Sequence, residues 1–168
     1  VKHLLIVFHT QSGNTGKLAA AVAEGAVREA DQVETRLLRA DGAGLDDLLW
    51  ADGVLFGTPE NFGFMSGMLK DFFDRTYYPA RARIGKLPYA VFVSAGNDGT
   101  GAVRQIERIA RGYPLRKVAE PVIARSGVTE EMRSADPEGS RVEVSREQLE
   151  AARELGHTLA AGLAFGIF

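Results

Sequence analysis

Apolar residues in this chain fall into short unbroken runs separated by stretches of longer period. Leu4–Phe8, Val33–Leu38, Gly53–Gly57 and Tyr89–Ser94 are rich in Val, Leu, Ile and Phe, and a weaker fifth run covers Val118–Ala124. Two of them, Leu4-Leu5-Ile6-Val7-Phe8 and Val54-Leu55-Phe56, do not alternate, which fits strands covered on both faces. Between the runs the period becomes helical. Leu18, Ala21, Val22, Gly25 and Ala26 recur on one helix face, as do Met65, Met68, Leu69, Phe72 and Phe73. Val103, Ile106 and Ala110 form a shorter stripe, and Asp46–Ala51 has room for one or two turns. A last helix carries Leu149, Ala152, Gly156, Leu159, Ala160 and Leu163, with Ser145 and Gln148 placed to open it as a capping box. The polar stretch Ser126–Val144, with Pro137 and Gly139, predicts a surface loop. Strands alternating with helices predict an α/β fold, a parallel sheet with helices on both faces. One domain over residues 1–168 is expected.

In such a sheet, ligands bind beyond the carboxyl ends of the strands. Three loops there are unusual. After the first strand, Thr10-Gln11-Ser12-Gly13-Asn14-Thr15-Gly16 brings hydroxyls, an amide and a flexible glycine to a helix start. Free backbone N–H groups and the positive end of the helix dipole make that a phosphate site; simple capping by Ser12 or Asn14 is the plainer use of the same residues. After the third strand, Gly57-Thr58-Pro59-Glu60-Asn61-Phe62-Gly63-Phe64-Met65-Ser66-Gly67 has the means to lay backbone amides and apolar surface along a flat ring, or to pack its Phe side chains under the next helix. After the fourth, Ser94-Ala95-Gly96-Asn97-Asp98-Gly99-Thr100-Gly101 is small enough for a ligand to approach the backbone. Two nucleotide signatures are missing. Gly16-Lys17 has Gln11 where an ATP-type P-loop needs its first Gly and Leu18 where it needs Ser or Thr, and no Gly-x-Gly-x-x-Gly is present.

Composition narrows the chemistry. The chain has no Cys, which excludes disulfides, Cys-based zinc, iron–sulfur clusters and a thiol nucleophile. Its three His, at positions 3, 9 and 157, are too scattered to suggest a metal cluster. A net charge of -2 is unlike the basic footprint of a nucleic-acid binder. The run His3–Phe8 is a strand's length and lacks signal-peptide flanks, and the apolar tail Leu159–Phe168 is too short to span a bilayer. A cytoplasmic location without membrane contact is therefore expected. The same tail leads us to expect a homodimer or higher homo-oligomer.

Taken together, the three loops resemble those of the flavodoxin-like family, over nearly the whole chain. Thr10-Gln11-Ser12-Gly13-Asn14-Thr15 is similar to that family's Thr/Ser-x-Thr/Ser-Gly-x-Thr loop, which binds the phosphate of FMN. Gly57–Gly67, running on through Leu69-Lys70-Asp71-Phe72-Phe73-Asp74-Arg75-Thr76, is similar to WrbA-type quinone reductases and NAD(P)H-dependent FMN reductases. The resemblance implies a three-layer sandwich with a five-stranded parallel sheet of order 2-1-3-4-5. It implies FMN held by Thr10, Gln11, Ser12, Gly13, Asn14 and Thr15 at the phosphate. Thr58, Pro59, Glu60, Asn61, Phe62 and Gly63 would contact the ring, with Ser94, Ala95, Gly96, Asn97 and Asp98 along its other edge. It further implies hydride transfer from NAD(P)H to a quinone-like or other small acceptor, with no catalytic side chain; the alternative is a flavodoxin-type electron carrier serving a partner protein. Asn97 and Asp98 stand where the WrbA-type enzymes place a His, and the flavin-stacking aromatic of carrier flavodoxins is absent after the fourth strand. Glu60 has two open uses, a bond to a flavin ring N–H or solvation. Trp50 is expected to be partly buried against the sheet rather than to flank a flavin, and His9 to be a neutral strand-end residue. Tyr77, Tyr78, Arg81 and Arg83 have alternative uses, covering a flavin, attracting an NADPH phosphate, or surface packing.

Overall fold

The computed structural model describes residues 1–136 and 144–168. Its sheet runs in the order β2 (Val33–Arg39), β1 (Lys2–Phe8), β3 (Gly53–Pro59), β4 (Pro88–Ala95), and every pairing is parallel. The helices are α1 (Asn14–Ala26), α2 (Leu45–Trp50), α3 (Gly67–Ala80), α4 (Thr100–Gly112), α5 (Glu130–Ala135) and α6 (Arg146–Ala164).

The non-alternating strands explain the three layers. Side chains along a strand point to opposite faces. Leu5, Val7, Val54, Phe56, Val91 and Val93 enter one core, with Leu69, Phe72 and Phe73 of α3 and Val103 and Ile106 of α4. Leu4, Ile6, Leu55, Ala90 and Phe92 enter the other, with Leu18, Ala19 and Val22 of α1 and Ala152, Leu155 and Leu159 of α6. Each large apolar side chain so buried contributes about 1.5–3 kcal/mol, so exposing either face would cost more than the fold's net stability.

The fifth position differs from the expected single strand. It is shared by β5 (Arg116–Lys117), which pairs with Pro88 and Tyr89, and β6 (Val122–Arg125), which pairs with Phe92–Ala95. The Val118 N–H still reaches the Tyr89 carbonyl at 3.1 Å. Pro121 lies between, has no N–H to donate, and so the run Val118–Ala124 cannot continue as one ladder. The segment Ser126–Val144 also departs from the expected loop, since it contains α5, capped by Thr129 accepting from the Met132 N–H at 3.2 Å. Pro137 and Gly139 lie outside the described residues.

The capping box of α6 forms as its sequence predicts: Ser145 Oγ accepts from the Gln148 N–H at 3.1 Å, and Gln148 Oε1 accepts from the Ser145 N–H at 3.0 Å. In the tail, Leu159, Ala160 and Leu163 are buried in the chain's own core, while Phe165 and Ile167 remain exposed. The apolar surface offered to a partner is thus much smaller than the sequence run. No helix among the described residues is long and apolar enough to cross a membrane.

Candidate functional site

The carboxyl ends of β1, β3 and β4 lie side by side, with Phe8 in register with Gly57 and Pro59 with Ser94. The three unusual loops therefore emerge from one edge of the sheet. Hydrogen bonds tie them together there, two of them between side chains. Thr15 Oγ1 and Ser94 Oγ are 2.7 Å apart in a buried pair, and Asn61 Nδ2 donates to Gln11 Oε1 at 3.0 Å.

The first loop has the form an anion requires. Gly13 is the N-cap of α1, in a left-handed conformation at φ 105, and no side chain caps the helix. The Gly13 N–H is taken by Thr10 Oγ1 at 3.2 Å, and the first bond along the helix runs from the Lys17 N–H to the Gly13 carbonyl at 3.0 Å. The Asn14, Thr15 and Gly16 N–H groups thus belong to a helix start with no intrahelical acceptor. The capping by Ser12 or Asn14 considered from sequence is absent. Gln11 and Ser12 are exposed, whereas Thr15 is 1% exposed and committed to Ser94. An uncapped helix start of this kind, with the Thr10 and Ser12 side chains next to it in the chain, has the donor set that a terminal phosphate would need. His9 stands beside it. Burial, aided by the Arg39 guanidinium and opposed by Asp41, lowers its pKa from the usual imidazole value. Its Nδ1 is buried with no hydrogen-bond partner.

The second loop is fixed at several points. Thr58 Oγ1 donates to the Pro59 carbonyl at 2.8 Å and accepts from the Ser66 N–H at 2.9 Å. The Glu60 N–H reaches the Ser94 carbonyl at 2.8 Å. Asn61 and Phe64 exchange backbone bonds at 2.8 and 2.9 Å, closing a hairpin whose two central residues, Phe62 and Gly63, both have positive φ. Asn and Gly suit such a turn; an aromatic at φ 53 is uncommon there. Phe62 is also 96% exposed. Neither Phe62 nor Phe64 packs under α3. The Glu60 carboxylate is engaged within the protein: Oε1 accepts from the Gly99 N–H at 2.9 Å and Oε2 from the Ala102 N–H at 3.1 Å. It caps α4.

The third loop is held by its own small residues. A Cβ on Gly96 would press on the Val128 carbonyl, and one on Gly99, at φ 94, on Ile123. Asp98 Oδ1 accepts from the Thr100 N–H and hydroxyl, which together lower its pKa from the ordinary carboxylate value. Arg125 Nε donates to the Asp98 carbonyl at 2.7 Å. Ala95 ends β4, and Asn97 is exposed.

Other residues noted in the sequence lie elsewhere. Trp50 stacks on His3 with centroids 4.4 Å apart, and the Arg36 guanidinium sits 3.8 Å from its ring. It precedes β3, at the amino edge of the sheet, so it does not flank the loops. Tyr77 and Tyr78 lie in the last turn of α3 and Arg81 and Arg83 follow it, where the helix has run back to that same amino edge. Tyr77 packs edge-on against Tyr113, Arg81 lies over Tyr77, and Tyr78 is exposed. None of the four stands beside the three loops of its own chain.

A 2-1-3-4-5 parallel sheet with its loops so disposed makes this a flavodoxin-like protein, a class whose flavin is FMN. Within that class the chain belongs to the NADPH-dependent FMN reductase family, which it matches over residues 42–125, half of its length. It is 42% identical over 99 residues to a flavodoxin of Aquifex aeolicus, covering 58% of this chain and 52% of the relative. It is 30% identical over 123 residues to an NAD(P)H dehydrogenase (quinone) of Acidithiobacillus ferrooxidans, covering 60% of each. The chain spans only about half to three-fifths of the length of these curated relatives. The crystal structure of a WrbA-like flavodoxin from Agrobacterium tumefaciens superposes with a TM-score of 0.72 over 96% of both chains at 22% identity, a likeness of fold.

The phosphate cradle gives a direct expectation. Ser12→Ala should weaken FMN binding about tenfold or more, since a hydrogen bond to a charged group is worth about 1.5–3 kcal/mol. Riboflavin, which lacks the phosphate, should be bound equally by both proteins. Fluorescence titration with the two flavins checks this; an equal loss for both would remove Ser12 from the phosphate site.

Proposed function

We propose that residues 1–168 form one FMN-binding domain of an oxidoreductase that takes a hydride from NAD(P)H and reduces a quinone-like or other small acceptor. FMN supplies the hydride and electron chemistry when bound; the protein binds and orients it. In this reading the amides at the start of α1, with Thr10 and Ser12, hold the phosphate. The backbone of Thr58–Gly63 and of Ser94–Asp98 flanks the ring. Thr15 braces the cradle from behind through Ser94. No side chain is asked to act as nucleophile or base.

The observation that carries the enzyme reading is the stretch after β4. Gly96, Asn97, Asp98 and Gly99 offer no aromatic to cover a ring face, and Gly96 and Gly99 are closed to side chains by Val128 and Ile123. A nicotinamide needs an uncovered face to approach within about 3–3.5 Å of its acceptor atom. The second reading, a carrier for a redox partner protein, is favoured by the 42% identity to a protein named flavodoxin. Stopped-flow absorbance separates them. The FMN-loaded protein should bleach at the flavin band with NADPH or NADH, then recover colour on adding a benzoquinone. Failure of both nucleotides over minutes, in a protein that dithionite bleaches at once, would give the carrier reading the place.

A further inference from the structure

Glu60 links the second loop to the third in a way that neither loop's own sequence requires. Its two carboxylate oxygens satisfy the Gly99 and Ala102 N–H groups at the start of α4, 39 and 42 residues further along the chain. Directly beyond Glu60, the Asn61–Phe64 hairpin meets the same helix: a Cβ on Gly101 would overlap the Gly63 carbonyl. On its other side, Asn61 Nδ2 is bound to Gln11 of the phosphate loop. The hairpin is therefore held between the first loop and α4, and the Glu60 side chain fastens it with two hydrogen bonds, one to each oxygen. A helix cap alone would be supplied by a short local residue such as Ser, Thr or Asp at the N-cap. Here the N-cap is Gly99, with no side chain to give; Asp98 takes the Thr100 N–H locally, and the acceptor for the Gly99 and Ala102 N–H groups comes from the flavin-side loop.

From this we infer that Glu60 is a positioning residue: by fastening its loop to α4 it presets the backbone that the flavin ring meets, so that binding need not order it. The inference rests on the reading of this edge as the FMN site. Loss of the fastening frees residues 60–64, and the ordering cost then falls on ligand binding. Since the phosphate cradle is untouched, affinity for FMN and for riboflavin should fall by the same factor.

The test uses the full chain with Glu60→Ala, Glu60→Gln and, as a matched control, Ser145→Ala, which removes a helix cap on α6. FMN and riboflavin are titrated by fluorescence, and the visible circular dichroism of saturated protein reports how the ring is held. For Glu60→Ala, dissociation constants about tenfold higher are expected for both flavins, with an altered visible dichroism. Glu60→Gln keeps one acceptor oxygen and should fall between. Ser145→Ala should lower the thermal midpoint yet leave both flavin readouts at wild-type values. If wild type binds FMN but Glu60→Ala matches it within twofold with the same dichroism, the positioning role is overturned. If wild type binds no flavin, the reading of the edge is what fails. Should Glu60→Ala not fold, Glu60→Gln decides by the same readouts.

Discussion

Gly156→Ala is expected to destabilise the protein by about 2 kcal/mol, although the same change in an isolated helix would stabilise it by about 1 kcal/mol. The reason is the crossing of α1 and α6. A Cβ on Gly156 would overlap the Val22 carbonyl, and one on Gly25 would overlap the Arg153 carbonyl. The two helices meet backbone to backbone, each through a glycine. A methyl group at either point must push the helices apart or displace a carbonyl that cannot rotate away, and overpacking of a rigid contact costs about 1–3 kcal/mol or more. That exceeds the propensity gain. The separation would also loosen Ala152, Leu155 and Leu159 from Leu18 and Val22, which share one core. Urea denaturation is the measurement, with Gly67→Ala as the comparison. Gly67 opens α3, and nothing lies within 4 Å of where its Cβ would stand. That variant should be neutral or slightly more stable. Equal midpoints for the two variants would show that the close crossing does not govern stability.

These glycines illustrate what the sequence carried and what it did not. Gly25 and Gly156 fall on the apolar stripes of their helices and are legible there as buried positions. That each faces the other helix's backbone depends on two segments 131 residues apart, and no local period contains it. The strands buried on both faces were legible because unbroken runs such as Leu4–Phe8 admit few other uses. The split of the fifth position is not legible, because Val118–Ala124 is apolar enough to look continuous, while Pro121 interrupts the ladder at a point set by register with β4. α5 has too little apolar pattern to announce itself. At the site, the hydroxyl-rich loop is legible as a polar turn into a helix start, but the disposition of its side chains is not: Thr15 faces Ser94 and is buried, while Ser12 is exposed. Glu60 was recognisable as unusual in its loop. Its partners, the Gly99 and Ala102 amides, become visible only once α4 is in place against β4.

The carboxyl end of α4 is secured as firmly as its start, and there stability should depend on alkaline pH. Tyr113 follows α4 and is 1% exposed. Its hydroxyl lies 3.0 Å from the Phe73 carbonyl and 2.8 Å from Thr76 Oγ1, and Thr76 spends its own proton on the Phe72 carbonyl at 2.8 Å. The phenol must therefore supply the proton to this cluster. A phenolate would face a carbonyl oxygen in a dry site. Burial accordingly pushes the Tyr113 pKa up to about 12, against 10.0 for a free tyrosine, with the Thr76 bond opposing. The folded state holds this proton more tightly than the unfolded state does. Below pH 10 both states are protonated and stability is unaffected. Between about pH 10 and 12 the unfolded state binds fewer protons, so stability falls, by up to about 1.4 kcal/mol per pH unit from this group. Tyr113→Phe removes that titration. At neutral pH it should cost about 1 kcal/mol or somewhat more, because the Phe73 carbonyl loses its donor. The stability gap between wild type and variant should then close and change sign as pH rises from 10 to 12. Tyr89, whose pKa burial also raises, and the lysines titrate in both proteins, so the difference between the two isolates Tyr113. Urea midpoints at pH 8, 10, 11 and 12 measure it; a gap that stays constant across the window would mean that Tyr113 ionises alike in the folded and unfolded states.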